Sequence, residues 1–533
     1  MSGRPLGPAL VFAFVAAHAG AVTFYVSNDG DNGADGLTPE TAWQTLQHAA
    51  DQVAAGDTVI ALAGSYDGFN LFTSGQPGQP ITFTADPGAL AANPAVVIDQ
   101  PNGFTGQDGI NLEGASWVVV EGFTIAGAGI PRAGIRAVGT SGSHAGNVTV
   151  RANHIDEPGR WGIFTGFVDD LLIEDNETSR AGDEHGIYAS NSGDRPVIRR
   201  NLIWGNRSNG IHMNGDLSQG GDGVISDALV EANVIFDNGT GGGSGINCDG
   251  LQNSTIRNNL IYDGHASGIS LYRIDGGQPS TGNLVVNNTV LVASDGRWAM
   301  NIQDGSSGNT LRNNVFLSDH PSRGSIDLCG SCLPGFVSDH NAVEDRFSLD
   351  DVWIDLDQWR TDTGQDGSSF LSTEDELFLD PAAADYRLSL TSPAADSGTA
   401  TDAPAEDLRG VPRPQEGGWE VGAYEQVEDL LLLADETGRA GELNRFDLFG
   451  ADPGGTVGLV GSLSLGSTPV PGCPGTDLEL AAPKVLATGA ADAAGELGFD
   501  LTVPVDASGF ELYFQGVEPA TCELAARIDQ SYP

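Results

Sequence analysis

One stretch of this chain repeats two short patterns, and their spacing constrains the fold more than any other feature. The first is Gly-Ile: Gly109-Ile110, Gly134-Ile135, Gly162-Ile163, Gly186-Ile187, Gly210-Ile211, Gly245-Ile246 and Gly268-Ile269, with a degenerate Ala299-Met300. Successive starts lie 25, 28, 24, 24, 35, 23 and 31 residues apart. The second is an asparagine three after an apolar residue: Val150/Asn153, Ile173/Asn176, Ile198/Asn201, Val230/Asn233, Ile256/Asn259, Val285/Asn288 and Leu311/Asn314. The two series alternate, so one period holds at least two short strands between Gly, Asn, Asp and Ser turns. Helical periodicity is absent, which removes a helical solenoid. A propeller would show longer periods of antiparallel hairpins. A period in the middle twenties with several short strands predicts an all-β fold, each period one coil of a parallel β-helix.

Strand alternation then sorts the side chains. Ile187 and Ala189 share a face, as do Ile211 and Met213, Ile246 and Cys248, Ile269 and Leu271, and Met300 and Ile302. These pairs are expected to point inward, which makes Cys248 a small core residue. The asparagines are expected to stack as an amide ladder at a turn. Residues between the inward pairs face out and line up from coil to coil, about 4.8 Å apart. Two after each glycine stand Phe164, Tyr188, His212, Asn247, Ser270 and Asn301; four after it stand Gly166, Ser190, Asn214, Asp249, Tyr272 and Gln303. Arg160, Trp161, His185 and Arg273 flank this strip. A plain solvated face needs only Ser, Thr, Asp and Lys, so histidines, tyrosines and arginines on adjacent coils point to a site. The 35-residue interval places about ten extra residues between Asp216 and Ala228. That insertion is expected to bulge beside the strip and form one wall of a groove.

Residues outside the repeat set the organisation. Arg4, the apolar residues 9–17 and Ala19-Gly20-Ala21 read as an export signal over residues 1–21. No other apolar stretch is long enough to span a bilayer, so a soluble protein, secreted or at the cell surface, is expected. Residues 41–53 read as an amphipathic helix, with Leu46, Ala49, Ala50 and Val53 on one side, that caps the first coil of a β-helix over 22–346. Residues 347–426 are expected to hold the end of the helix and a loop-rich cap. Residues 427–533, with alternating stretches at 457–465, 497–503 and 510–514, read as a separate small β-sandwich-like module. The net charge of −48 repels nucleic acid and sets DNA and RNA aside as partners. Of five cysteines, Cys473 and Cys522 are placed to pair after export. Cys329 and Cys332 form a CxxC with no second CxxC to complete a zinc site; a local disulfide and two free thiols both remain open.

Tyr25-Val26-Ser27, Thr41-Ala42-Trp43-Gln44-Thr45-Leu46, Ala55-Gly56-Asp57-Thr58-Val59 and Pro80-Ile81-Thr82-Phe83 look like the cap and first turn of a known family. With the coils that follow, residues 24–426 resemble the secreted pectate-lyase-like β-helix proteins. The resemblance implies a right-handed helix, an extracellular setting and a long-polymer substrate, usually a uronic-acid polysaccharide. It does not fix the chemistry, because this fold hosts lyases, epimerases, hydrolases and phage adhesins. Lyase relatives commonly use a lysine or arginine base, but Lys484 is the only lysine here, so a lysine-base mechanism does not carry over. The alginate epimerases use a Tyr/Asp/His cluster with an Asp-Pro-His motif. Asp183-Glu184-His185 has Glu in place of Pro, so no role is carried over from it.

Chemistry at a uronate C5 needs a neutralised carboxylate, a base for the C5 proton and an acid for the leaving oxygen or opposite face. Arg273 or Arg160 suits the carboxylate. His212 or His185 suits the base near neutral pH. Tyr188 or Tyr272 suits the acid, or the base if ionised. Asp249 suits orienting a histidine or binding calcium. Asn214 and Asn247 suit sugar hydroxyls, and Trp161 a sugar ring. A hydrolase would need two flanking carboxylates, with Asp183, Glu184 and Asp249 to draw on. Ca²⁺ is the one cofactor in view: Asp29, Asp31 and Asp35, or Asp216 and Asp222, sit in oxygen-rich loops but match no defined calcium motif. The expectation is a polysaccharide lyase or epimerase acting on an acidic polymer. The alternative is a β-helix protein that binds glycan or attaches to a surface without turnover.

Overall fold

The computed structural model describes residues 20–86, 96–415, 417–435 and 437–533. The export signal read at residues 1–21 lies outside them, apart from Gly20 and Ala21. Three 12-stranded sheets run along one axis, and each coil contributes a strand to each sheet in turn. The chain is a right-handed parallel β-helix, the hand that strand twist imposes on parallel crossovers. The first sheet starts at Thr23–Val26 and the third at Gly64–Asp67. The second holds the Gly-Ile strands, from Asn70–Leu71 to Phe347–Leu349, closed by one antiparallel strand, Val352–Ile354.

Inside the second sheet Ile163, Ile187, Ile211, Ile246, Ile269 and Met300 stack in register and are fully buried. Cys248 sits in the neighbouring inward row, also fully buried, between Met213 and Leu271. The glycine before each isoleucine has a packing cause. A Cβ on Gly186 would stand 2.5 Å from Ile203 Cγ2, and one on Gly210 would stand 2.5 Å from Ile235 Cγ2. The third sheet's isoleucines press so close to this backbone that only glycine fits.

The corner between the first and third sheets carries the amide ladder. Asn201 donates its backbone N–H and its Nδ2 to Asn233 Oδ1, and Asn233 repeats both bonds to Asn259. The pattern runs from Asn153 to Asn341. The residue before each amide is left-handed, with φ of 53° at Arg200 and at Ala232, a conformation the ladder holds in place. Outside the first sheet a charge ladder alternates in register: Glu121, Arg151, Glu174, Arg199, Glu231, Arg257. Arg199 pairs with Glu174 at 2.8 Å and Arg257 with Glu231 at 2.6 Å.

Both ends are covered. The N-terminal helix is Leu46–Gln52, capped by the Thr45 hydroxyl, with Leu46, Ala49 and Ala50 buried on the first coil. It is shorter than the 41–53 read from sequence, because Pro39–Thr41 forms its own 3₁₀ turn capped by Thr38. At the far end Trp359, on the helix Leu356–Thr363, is fully buried and stacks on Phe347 at 5.0 Å. Cys329–Cys332 and Cys473–Cys522 are disulfides. The C-terminal module is built from antiparallel sheets around Phe446, Leu448, Leu459 and Phe514.

Between the last coils and that module, a strap runs back along the asparagine corner. Asn258, Asn287 and Asn313 donate their amides to the carbonyls of Glu406, Glu420 and Thr399. Under the strap Arg413 and Glu425 form a fully buried ion pair at 2.7 Å. Burial, with Glu425 as hydrogen-bond partner and like charge, holds the Glu420 carboxyl far above the usual range. Glu420 therefore stays protonated at neutral pH and donates to Glu425. The fold favours the protonated form, so this contribution to stability is full below the ordinary carboxyl range and fades as pH climbs through the raised folded-state value. The denaturation midpoint is expected to fall across that window, and Glu420→Gln, which keeps a donor, is expected to flatten the slope. An unchanged slope in Glu420→Gln would contradict the shared proton.

Candidate functional site

Register along the second sheet fixes two outward rows. The first runs Asn111, Arg136, Phe164, Tyr188, His212, Asn247, Ser270, Asn301, Asp327. The second runs Glu113, Val138, Gly166, Ser190, Asn214, Asp249, Tyr272. Tyr188, His212, Asn247, Asn214, Asp249 and Tyr272 thus share one face within four adjacent coils.

His185 precedes the strand Ile187–Ser190, and its buried ring meets His212 from the next coil. Asn209 donates its backbone N–H and its Nδ2 to His185 Nδ1, at 3.3 and 3.2 Å. A nitrogen that accepts from a backbone amide carries no proton, so the His185 hydrogen sits on Nε2. That N–H lies 3.1 Å from His212 Nδ1 and donates to it. His212 therefore carries its own hydrogen on Nε2, which is buried with no acceptor among the described residues. Tyr188 stacks flat on the His212 ring, with centroids 4.8 Å apart and planes 7° apart.

Burial, helped by Arg160, pushes His185 down to about 3. Burial, helped by His185, holds His212 well below the usual imidazole range. Both rings are neutral at pH 7 and far weaker bases than a free imidazole. This corrects the base role read from sequence: His212 presents a hydrogen, not a lone pair. Tyr188 is pushed up to about 12 by burial, with Asp216, Glu184 and Asp275 adding to the shift against the Asn214 bond. Tyr272 is pushed up by burial and by the Asp249 charge. Asn214 donates to the Tyr188 hydroxyl at 3.3 Å and Asn247 to that of Tyr272 at 2.9 Å. Each phenol accepts one bond and keeps its own proton to give.

Three other assignments change. Asp249 orients no histidine, because its carboxylate accepts the backbone N–H groups of Ile274, Asp275 and Gly276 at 2.9, 2.7 and 2.9 Å. It positions the loop that carries Arg273. Trp161 is 7% exposed, and its Nε1 donates to Glu184 at 2.6 Å, so it offers no open ring to a sugar. Arg160 lies over that indole and donates to Glu184 at 2.9 Å, which neutralises it. Asp183 faces Arg207 at 3.2 Å. With Glu184 and Asp249 also committed, the three acids form no free pair for hydrolysis. Arg273 is exposed and makes no ion pair among the described residues.

The insertion follows Asn214 directly and lies on the strip's own flank. Leu217 N–H donates to the Asp275 carbonyl at 2.9 Å, and Gly277 N–H to that of Gly223 at 2.7 Å, so it joins the Arg273 loop into one wall. Asp216 and Asp222 cap turns inside it, through Ser218 and Val224. Among the described residues no three His, Cys, Asp or Glu side chains are arranged to hold a metal ion. A cleft of about 1360 Å³ lies elsewhere, between Arg151 and Glu174 on the first sheet and Arg439 and Glu442 of the C-terminal module.

Three residues of the first row were missed from sequence: Asn111, Arg136 and Asp327. Arg136 follows Gly134-Ile135 as Phe164 follows Gly162-Ile163, so the repeat already placed it. Asp327 extends the row two coils beyond Ser270, and burial raises its carboxyl.

Uncharacterized protein YwoF of Bacillus subtilis (strain 168) is 24% identical over 437 residues, covering 69% of this chain and 91% of that protein. Among solved structures, XylC in complex with xylose covers 90% of this chain and 100% of its own at 12% identity, with a TM-score of 0.43. The GH136 lacto-N-biosidase from Eubacterium ramulus covers 61% and 67% at 13% identity and 0.35. The PL6 family alginate lyase AlyGC covers 60% and 53% at 13% identity and 0.29. These likenesses concern the fold and assign no residue a role. Residues 100–217, the coils that carry Arg136, Phe164, Tyr188 and His212, match the family described as the right handed beta helix region.

Proposed function

We propose that this is an exported protein acting on a uronic-acid polysaccharide laid along the second sheet, by β-elimination or C5 epimerisation. One observation carries the reading. The His185–His212 pair has a fixed tautomer, its His212 ring stacks on Tyr188, and it ends in a buried N–H with no acceptor among the described residues. A buried donor left unmade costs about 1–3 kcal/mol, so a substrate oxygen that reaches this one would be bound by it. In this reading His212 Nε2–H and Arg273 bind the uronate carboxylate and stabilise the charge that builds as C5 loses its proton. Tyr188, as phenolate, takes that proton, and Tyr272 donates to the leaving oxygen or the opposite face. Because Tyr188 sits near 12, its reactive form is scarce at neutral pH and the rate should climb steadily into the alkaline range.

A second reading, glycan binding without turnover, is favoured by one fact: both imidazoles are poor bases and Tyr188 sits near 12, so the strip offers no ready base at neutral pH. Incubation with a panel of polyuronates in D₂O separates the two. Ultraviolet absorbance reports the unsaturated product of elimination, and proton NMR reports exchange at C5. Either signal, rising with pH, is the expected result. Binding with neither signal would sink the enzymatic reading and leave the binder.

A further inference from the structure

The strip's N-terminal end carries two exposed aromatic rings that the candidate chemistry does not use. Phe72 and Phe104 are 59% and 58% exposed and pack edge to face at 5.1 Å. Single exposed apolar residues are ordinary, but a touching pair of open phenyl rings is a binding feature. Their position is set by register. Asn70 and Leu71 pair with Asn111 and Leu112, and Phe72 follows them directly where that strand ends. Asn70, Asn111, Arg136, Phe164 and Tyr188 lie in register on successive coils. Four coil spacings of about 4.8 Å put the phenyl pair about 19 Å along the axis from Tyr188.

Both rings stand on fixed backbone. Asn102 is fully buried and accepts the N–H groups of Phe104 and Thr105 at 3.1 and 2.8 Å. Its Nδ2 donates to the Asp108 carbonyl at 2.7 Å. Gln47 Oε1 accepts the Asn70 N–H at 2.8 Å, just ahead of Phe72. Rings held this way lose little freedom on binding. Polar groups lie alongside. Arg136 donates through Nη1 to Asn111 and Glu113 at 2.7 and 2.6 Å, while its Nη2 and Nε make no bond among the described residues. Asn70 is 2% exposed, and its Nδ2 has no acceptor among the described residues. An aromatic platform, a guanidinium edge and a spare amide hydrogen suit a sugar unit, whose oxygens accept from both donors.

We infer that Phe72, Phe104 and Arg136 form a remote subsite for the same acidic polysaccharide, so that one polymer chain lies along the helix axis from the phenyl pair to Tyr188. This rests on the strip being a glycan site. The phenyl rings cover the apolar C–H face of one sugar, and the free edge of Arg136, whose charge Glu113 already meets, donates to that sugar's oxygens.

Calorimetric titration of the full chain with polygalacturonate, alginate and hyaluronate tests it. The Phe72→Ala/Phe104→Ala double variant is expected to bind at least about tenfold more weakly to whichever polymer the unaltered protein binds. Both side chains are exposed, so the circular dichroism spectrum should not change. Phe72→Trp supplies a second readout: its fluorescence should shift when that polymer is added. Unchanged affinity in the double variant, with no shift in Phe72→Trp, overturns the subsite and leaves the strip reading standing. Weaker binding in the double variant, with no turnover by the unaltered protein, supports the subsite while the proposed chemistry falls. No binding of any of the three polymers by the unaltered protein overturns both.

Discussion

Asn233→Ala is expected to destabilise the β-helix by about 3–5 kcal/mol, a large share of a typical domain's stability. The side chain closes four hydrogen bonds. It accepts the backbone N–H and Nδ2–H of Asn201, and donates Nδ2 to the Ile198 carbonyl at 2.9 Å and to Asn259 Oδ1 at 2.9 Å. Asn233 is fully buried, so no water replaces the lost partner. Alanine leaves the Asn201 amide and the Ile198 carbonyl orphaned in the interior. It also frees the left-handed turn at Ala232, φ 53°. Urea denaturation followed by circular dichroism measures the loss, and hydrogen exchange should place it in the neighbouring coils. A change within about 1 kcal/mol would show that the ladder is incidental to the fold.

His212→Ala is expected to lower kcat/KM about 10²- to 10³-fold, the range for removing one positioned donor from a developing charge. The change removes the N–H aimed at the substrate and the ring on which Tyr188 stacks. It also strands the His185 Nε2–H, which now donates to His212. His185 should then lose its tautomer partner, and His185→Ala should repeat part of the effect. The acid side of the profile gives a further check. Both imidazoles are held neutral far below their usual value, so activity should show no fall near pH 6.5, where a free histidine titrates. A rate limb at that pH, removed by His212→Ala, would mean that the ring acts as an ordinary base.

The coil architecture was legible because its causes are local. Alternation fixes which side of a strand each residue takes, and a fixed period lines up equal positions. Ile187, Ala189, Ile211 and Met213 followed from that alone. So did the amide ladder. The charge ladder was passed over, although Arg151, Glu174, Arg199, Glu231 and Arg257 each stand two residues before a repeated asparagine. Arg136 was passed over because the strip was read from Phe164 onward, although Gly134-Ile135 marks the coil before it.

Contacts between coils were not legible. The Asp249 carboxylate finds its partners at Ile274, Asp275 and Gly276, in a loop whose shape depends on the insertion one coil away. Trp161 looked open until Glu184, 23 residues later, took its N–H and Arg160 covered its face. The histidines looked like neutral-pH bases because their burial depends on side chains from three coils. Sequence period places a residue on a face; it does not say what that residue's polar atoms will meet there.

A polysaccharide that lies along the outward rows of the second sheet should shield that face of the helix and no other. Hydrogen–deuterium exchange of the full chain, with and without a bound polyuronate, tests this most directly. Protection is expected along the sheet from Asn111 to Tyr272 and in the loops at 216–223 and 273–277. Protection confined to the first-sheet charge ladder, or to the cleft facing the C-terminal module, would contradict it.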